Sequence, residues 1–324
     1  MQRILVTGGG GFIGSHLAKH LYEQGHFVRV ADVKFDDYIQ GTYCTEKCKL
    51  DLRVLENCLE ATQGIDKVYN LAANMGGIGF ISSVFADVCH DNILINTFML
   101  ESAVKSKVKK FFFSSSACVY PNYMQKVAKI PPLKEEDAYP ADPNEAYGWE
   151  KLFTEEMVKA YQINYKLDAR IARFHNIYGP EGTYKGGREK APAALCRKIY
   201  EASNLGTIEV WGDGTATRSF CYVDDCVKGV VALMESNYTK PINIGSDRLV
   251  TIDELADIII EISGKKIKKT HNTSAPEGVK GRNADLTLVK EKLKWEPKIS
   301  LEEGLAKTYK WIGKMIEEDK RSEK

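Results

Sequence analysis

Tyr147 and Lys151 stand four positions apart, as Y-x-x-x-K. On a helix that spacing puts the two side chains on one face. A lysine ammonium beside a phenol stabilises phenolate and lowers its pKa, which makes a tyrosine a usable base near neutral pH. The pair follows, by about 30 residues, the run Ser114-Ser115-Ser116-Ala117-Cys118, which lies at the end of an apolar stretch with the character of a strand. In a doubly wound parallel sheet that edge is where ligands bind. The bare pattern is common by chance; its place after the serine run gives it weight.

A second constellation points to a cofactor. Gly8, Gly11 and Gly14 form G-x-x-G-x-x-G directly after the first apolar run, and a helix is expected to begin at about Phe12. Glycine allows a sharp turn and the close approach of backbone to a pyrophosphate. The first helical turn, Gly11-Phe12-Ile13-Gly14, then offers free N–H groups to the anion. Such glycines alone mark only a tight turn. Asp32 adds to them, because it ends the next strand eighteen residues past the last glycine, where a carboxylate meets the adenosine ribose hydroxyls. It would repel a 2′-phosphate, so NAD is expected rather than NADP. Asp51-Leu52 follows a further strand-like stretch and is a candidate contact for the adenine.

These groups need a scaffold that gathers strand ends. Short apolar runs at 4–6, 28–31, 68–72 and 111–114 read as buried strands, each separated from the next by room for a helix, and 169–174 and 241–244 read as later strands of the same sheet. Such alternation means parallel strands with crossover helices. The expected class is α/β: a doubly wound Rossmann-type parallel sheet with a smaller mixed α/β lobe. The cofactor domain is expected over 1–177 with a returning segment at about 208–246, and the substrate lobe over 178–207 and 247–324. Leu301, Leu305, Tyr309, Ile312 and Ile316 fall at helical spacing, so the chain is expected to close on an amphipathic helix with a charged, frayed tail after Glu317.

The 324 residues are 44% hydrophobic and 27% charged, with a formal net charge of +1. Nothing in that balance draws the chain to nucleic acid or to an anionic membrane, so affinity for a phosphorylated ligand must come from a local site. No apolar run approaches the roughly 18 residues of a membrane span. The start lacks the apolar stretch and cleavage site of a signal peptide, so a reducing, cytoplasmic setting with free thiols is expected. Cys44 and Cys48 are spaced C-x-x-x-C, but no second Cys or His pair follows at ligand spacing, so no metal site is expected.

Together, the glycine pattern, Asn70-Leu71-Ala72-Ala73, the serine run and Tyr147/Lys151 resemble the extended short-chain dehydrogenases/reductases that act on nucleotide sugars. The resemblance spans nearly the whole chain and includes Arg173-Phe174-His175-Asn176-Ile177-Tyr178-Gly179-Pro180 and Arg218-Ser219-Phe220. Within that family, three segments are similar to the GDP-mannose 3,5-epimerases: Asn74-Met75-Gly76-Gly77-Ile78-Gly79-Phe80, Ser115-Ser116-Ala117-Cys118-Val119-Tyr120-Pro121, and the long, unusual Gly186-Gly187-Arg188-Glu189-Lys190-Ala191-Pro192-Ala193-Ala194. The resemblance implies NAD as cofactor, GDP-mannose or a related nucleotide sugar as substrate, and a homodimer. It carries over Ser116, Tyr147 and Lys151 as a redox triad and Cys118 and Lys190 as an epimerising acid/base pair. It also assigns Leu71, Ala72 and Ala73 to the cofactor, and Gly76, Gly77 and Glu189 to the substrate. Arg218 and Arg282 become candidates for the diphosphate, with Asn176 supplying an amide, since arginine fits phosphate bidentately.

Those residue types suit the implied reaction. A proton on C3 or C5 of a hexose is far too weak an acid to remove directly. Oxidation at C4 changes that: Tyr147 would take the O4 proton while hydride leaves C4, and the ketone acidifies both neighbouring carbons. A base on one face and an acid on the other then invert each centre through an enolate. A thiol, with a reference pKa of about 8.5, suits the base when cations are near, and an ammonium suits the acid. Without the surrounding match, Cys118 would read as an inert thiol and Lys190 as a solvated loop residue. His16 and His175 read as packing residues. Four alternatives stay open. A GDP-4-keto-6-deoxymannose epimerase/reductase would pair its cysteine with a histidine and consume NADPH. A 4-epimerase would need neither Cys118 nor Lys190. A dehydratase would carry a carboxylate near the serine run. A non-catalytic NAD-sensing protein would have lost the tyrosine or the lysine.

Overall fold

In a computed structural model that describes residues 1–35 and 43–322, the apolar runs become strands of one sheet. They are β1 (Arg3–Thr7), β2 (Phe27–Asp32), β3 (Glu46–Lys49), β4 (Lys67–Asn70), β5 (Lys110–Ser116) and β6 (Ala169–Phe174). Between them lie α1 (Phe12–Glu23), α2 (Leu55–Thr62), the single turn α3 (Ile78–Ile81), α4 (Phe85–Lys105) and α5 (Glu145–Tyr165). With the strand Pro241–Ile244 they form a seven-stranded sheet in the order Pro241–Ile244, β6, β5, β4, β1, β2, β3. Every pairing in it is parallel. The chain winds outward from β1 through β2 to β3, then returns to β4 on the other side of β1. The crevice beyond the carboxyl ends of β1 and β4 is therefore the switch point where ligands bind. This is the doubly wound sheet expected from the alternation. β4 stops before 71–72, because the amides of Leu71 and Ala72 turn to the Thr7 hydroxyl at 3.1 Å each.

Side chains alternate along a strand, so each strand feeds two cores. Ile4 and Val6 of β1 and Phe112 of β5 pack with Leu17 and Leu21 of α1 on one face. Leu5, Phe111 and Phe113 pack with Met99 and Leu100 of α4 and Val158 of α5 on the other. Truncating any one of these buried phenylalanines to alanine would cost about 3–5 kcal/mol. That double anchorage fixes the end of β5, where the serine run begins.

Beyond Tyr178 the strands are shorter. Thr207–Trp211 pairs with Lys268–Asn272 in parallel, and Thr217–Ser219 takes Leu249–Thr251 antiparallel on one edge and Gly281–Arg282 parallel on the other. The helix α6 (Ala191–Glu201) starts directly after Lys190 with proline in its first turn, where a missing N–H costs nothing. The expected closing helix is present as Leu301–Ser322, with Leu305, Ile312 and Ile316 buried. It does not fray after Glu317. Asp319 accepts hydrogen bonds from the Tyr184 hydroxyl at 2.7 Å and from Lys185, which hold that turn in place. Among the described residues no helix is long and apolar enough to cross a membrane, and no group of three His, Cys, Asp or Glu could hold a metal ion.

Candidate active site

A cleft of about 720 Å³ runs along the carboxyl ends of β1, β2, β4, β5 and β6 and reaches the loop before α6. At one end lies the glycine turn. Gly8 has φ +67°, and a β-carbon there would stand 2.9 Å from the Ala72 nitrogen, while one on Gly14 would overlap the Gly8 carbonyl. Only glycine builds this turn, and it delivers Gly11, Phe12, Ile13 and Gly14 at the start of α1 to the cleft wall, together with Leu71, Ala72 and Ala73. Asp32 lies on the same wall, its carboxylate accepting from the Gly10 amide at 3.1 Å and the Lys34 amide at 3.3 Å. A glycine cradle, a helix start and a carboxylate at the end of β2 fit a dinucleotide.

Asp51 and Leu52 also line this half. Asp51 sits in the fork of Arg53, with Nη2 at 2.7 Å, and that hydrogen bond holds its carboxyl below the usual range. Arg53 reaches Asp91 at 3.1 Å, Asp91 accepts from Asn74 Nδ2 at 3.0 Å, and Asn74 Oδ1 accepts from Arg188 Nη1 at 3.4 Å. This polar chain links the cofactor half to the loop that carries Lys190. Sequence reasoning missed it, because its members come from four separate segments with no shared spacing.

In the other half, α5 brings Tyr147 and Lys151 to the wall beside Ser116. Gly148 lets the helix dock there: a β-carbon would overlap the carbonyl of Cys118. Tyr147 is buried, which pushes its phenol well above the ordinary value. Negative charge at Cys118 and Glu150 pushes the same way, and only a hydrogen bond with Ser116 opposes them. This reverses the lowered phenol expected from the sequence. The Lys151 ammonium stands 5.5 Å from the Tyr147 ring, 4.9 Å from that of Phe113, and 3.7 Å from the Glu150 carboxylate.

Cys118 lies on the turn Ala117–Val119, its amide donating to Ser116 Oγ at 3.2 Å. Its sulfur accepts a hydrogen bond from Arg282 Nη1 at 3.4 Å. Arg282 is steered by Gln125, whose Oε1 accepts from Nε at 2.7 Å and whose own amide is tied to the carbonyls of Tyr120 and Pro121. Gln125 had no signal in the sequence. Arg282 Nη2 is buried with no partner among the described residues. Burial, and then the like charge of Arg282, pull Arg218 down to about 9. A guanidinium still keeps its proton at neutral pH, so the direction registers two crowded cations suited to an anion.

Lys190 lines the cleft and is exposed. Desolvation by the protein around it lowers its ammonium, and the charge of Cys118 is the largest influence opposing that. Negative charge at Cys118 bears on Tyr147, Lys190 and Arg218 alike, although Cys118, Arg218 and Arg282 are not part of the cleft wall. Other sequence candidates stand apart from this meeting point. Gly76 lines the cleft, but Gly77 is a clasp: its amide donates to the Arg188 carbonyl at 2.9 Å, and a side chain there would overlap the Glu189 carbonyl. Glu189 pairs with Arg197 at 3.0 Å and is not part of the cleft wall. Asn176 lines the cleft, yet its amide already donates to the Ser219 carbonyl at 3.0 Å. His175 is buried, which pulls its imidazole down to about 3, and Nε2 meets Asn243 Oδ1 at 2.9 Å. His16 Nε2 meets the Pro180 carbonyl at 3.0 Å.

Residues 4–245 match the NAD dependent epimerase/dehydratase family. The chain is 49% identical over 319 residues to the GDP-mannose 3,5-epimerase 1 of Oryza sativa subsp. japonica, covering 98% of this chain and 83% of that protein. It is 31% identical over 325 residues to the GDP-L-fucose synthase of Escherichia coli (strain K12), covering 96% of each. Among solved structures it is similar to the UDP-glucose 4-epimerase of Thermotoga maritima with UDP-glucose, with a TM-score of 0.87, 30% identity, and coverage of 97% of this chain and 99% of that one.

Proposed function

The chain belongs to the NAD-dependent epimerase/dehydratase family, and from that premise we propose that it inverts a GDP-hexose at C3 and C5, taking GDP-mannose to GDP-L-galactose, GDP-L-gulose or both. One observation carries this reading: Ser116, Tyr147, Lys151 and Lys190 line one cleft, and Cys118, two residues past Ser116, donates its amide to the Ser116 hydroxyl while its sulfur takes a hydrogen bond from Arg282. A 4-epimerase has work for Tyr147 and Lys151 alone. The 49% identity to a 3,5-epimerase, against 31% to a fucose synthase, supports the same choice. So does the partner of Cys118, which is Arg282 rather than a histidine.

Bound NAD supplies the hydride acceptor and donor at C4 and a cationic ring in the cleft. Ser116 and Tyr147 hold O4, and Tyr147 takes the O4 proton during oxidation and returns it after reduction. With C4 a ketone, Cys118 removes a proton from the adjacent carbon on one face and Lys190 delivers one on the other, the electron pair resting on O4 as an enolate in between. Arg282 holds positive charge against the Cys118 sulfur, where a thiolate carries its negative charge. Arg218, with the unpartnered Nη2 of Arg282, receives the diphosphate. Asp32 takes the adenosine ribose, and Asp51 and Leu52 the adenine.

We propose that the protein is a cytoplasmic homodimer. All eight thiols are free, which suits a reducing compartment. Trp149 and Phe153, one turn apart on α5, are 51% and 54% exposed and offer an apolar face for pairing. The test of the activity is incubation of the purified holoprotein with GDP-mannose and no added reductant. New GDP-hexose isomers, with NAD recovered unreduced, support the reading. Absence of isomers, or turnover only of a 4-keto-6-deoxy sugar with NADPH, would replace it with the epimerase/reductase.

A further inference from the structure

A buried carboxylate stands beside the redox pair, and no step above uses it. Glu150 and Lys151 are neighbours on α5, with side chains 0% and 1% exposed and Oε1 at 3.7 Å from Nζ. Across from them, α4 supplies two amides one turn apart. Asn92 Nδ2 donates to Oε1 at 2.9 Å, and Asn96 Nδ2 reaches Oε2 at 3.4 Å. Both amides are themselves fixed. Asn92 Oδ1 accepts from the Asn74 backbone at 2.7 Å, and Asn96 Oδ1 accepts from Asn70 Nδ2 at 3.0 Å. Asn70 Oδ1 takes the Thr7 hydroxyl at 2.8 Å, and Thr7 holds the amides of Leu71 and Ala72. Glu150 is the hub of a buried network that joins the cofactor cradle, the Asn74 loop and Lys151.

A carboxylate taken out of water is costly unless it is paired and hydrogen-bonded, and an apolar residue would fill the same space at less cost. Retention of such a pair next to reacting groups points to function. We propose that Glu150 is a positioning residue for the redox step, holding Lys151 as its counter-ion beside Tyr147. The inference rests on the reading of Tyr147 as the group at O4. Burial raises the Glu150 carboxyl, opposed by Lys151 and the two asparagines, and Glu150 in turn raises the Tyr147 phenol. Other ionisable groups face this patch. Cys118, on the turn after β5, raises Tyr147 as well. Cys89 of α4 is itself pushed up, with Glu150 contributing. The Glu155–Arg173 pair joins α5 to β6 at 2.7 Å. With its carboxylate in place, Glu150 keeps the phenol protonated while C4 is a ketone, so Tyr147 can donate a hydrogen bond to O4 throughout the inversions.

Glu150→Gln keeps the shape and removes the charge. Transient NADH absorbance after rapid mixing of the holoprotein with GDP-mannose, followed across pH, reads the hydride step alone. The expected result is a fall of about tenfold to a hundredfold in the plateau rate above the acid limb, with that limb moved to lower pH and KM little changed. Glu150→Asp keeps the charge on a shorter arm and restores the rate and limb in part. If the glutamine variant does not fold, the aspartate variant carries the test, with a smaller move of the limb in the same direction. A limb that stays at its wild-type position in either folded variant, whatever the loss in Tm, overturns the proposal and leaves Glu150 a packing residue. Tyr147→Phe is measured alongside: an undiminished transient there removes Tyr147 from O4 and the premise with it, independently of Glu150.

Discussion

Asp32 ends β2 with its carboxylate steadied by the amides of Gly10 and Lys34. So placed, it is proposed to accept the ribose hydroxyls and repel a 2′-phosphate. Asp32→Ala removes a charge-assisted hydrogen bond of about 1.5–3 kcal/mol. NAD affinity, titrated on stripped protein, should fall by roughly tenfold to a hundredfold by the same conversion, and discrimination against NADP should narrow. An unchanged NAD/NADP preference would remove Asp32 from the ribose. Asp32, the glycine turn and Tyr147/Lys151 were legible because each depends on an element a few residues away, so spacing encodes their placement. The hydrogen bond from Arg282 to Cys118 spans 164 positions, and Gln125 stands behind it from a third segment. No local period records such a meeting. The phenol of Tyr147 is raised by burial, against the expectation, for the same reason: Y-x-x-x-K shows the lysine but not the burial.

Lys190 depends on elements far along the chain. Its loop begins at Tyr184, whose ring stands edge-on to Trp311 with centroids 5.6 Å apart and whose hydroxyl donates to Asp319 at 2.7 Å. At the other end, the amide of Gly77, just before α3, holds the Arg188 carbonyl. The closing helix and the α3 turn therefore grip the loop from two sides. Asp319→Ala should leave NAD binding and the NADH transient near wild type while slowing inversion about tenfold, since small misplacements of a proton donor are expensive in rate. An equal fall in both steps, or in neither, would show that the grip does not serve Lys190. The closing helix was legible from its apolar period. Its last turn was not, because a run of charges looks solvated until its partners Tyr184 and Lys185 are brought to it.

At the scale of the whole molecule, two sheets supply different candidate residues. The large parallel sheet carries the glycine turn, the serine run and Tyr147, whereas Arg218 and Arg282 sit on the small sheet of Thr217–Ser219 and Gly281–Arg282. Strand–helix alternation revealed the large sheet. The small one is built from strands of two and three residues, too short to show a period. On the outer side of α5, Trp149→Glu combined with Phe153→Glu should convert a dimer into a monomer in light scattering and leave the cleft untouched. A wild-type protein that already runs as a monomer would refute the pairing.

The proposed function gives oxidation at C4 and inversion at C3 and C5 to different residues, and solvent deuterium separates them. The decisive measurement is deuterium incorporation at C3 and C5 of the recovered GDP-hexose, read beside transient NADH absorbance. Wild type should incorporate at both carbons, and Tyr147→Phe at neither, with no transient. Cys118→Ala and Lys190→Ala should keep the transient and lose incorporation by about 10²–10⁴, the usual worth of a general acid or base. Incorporation by Cys118→Ala as fast as wild type would contradict the assignment and return Cys118 to the role of a packed thiol.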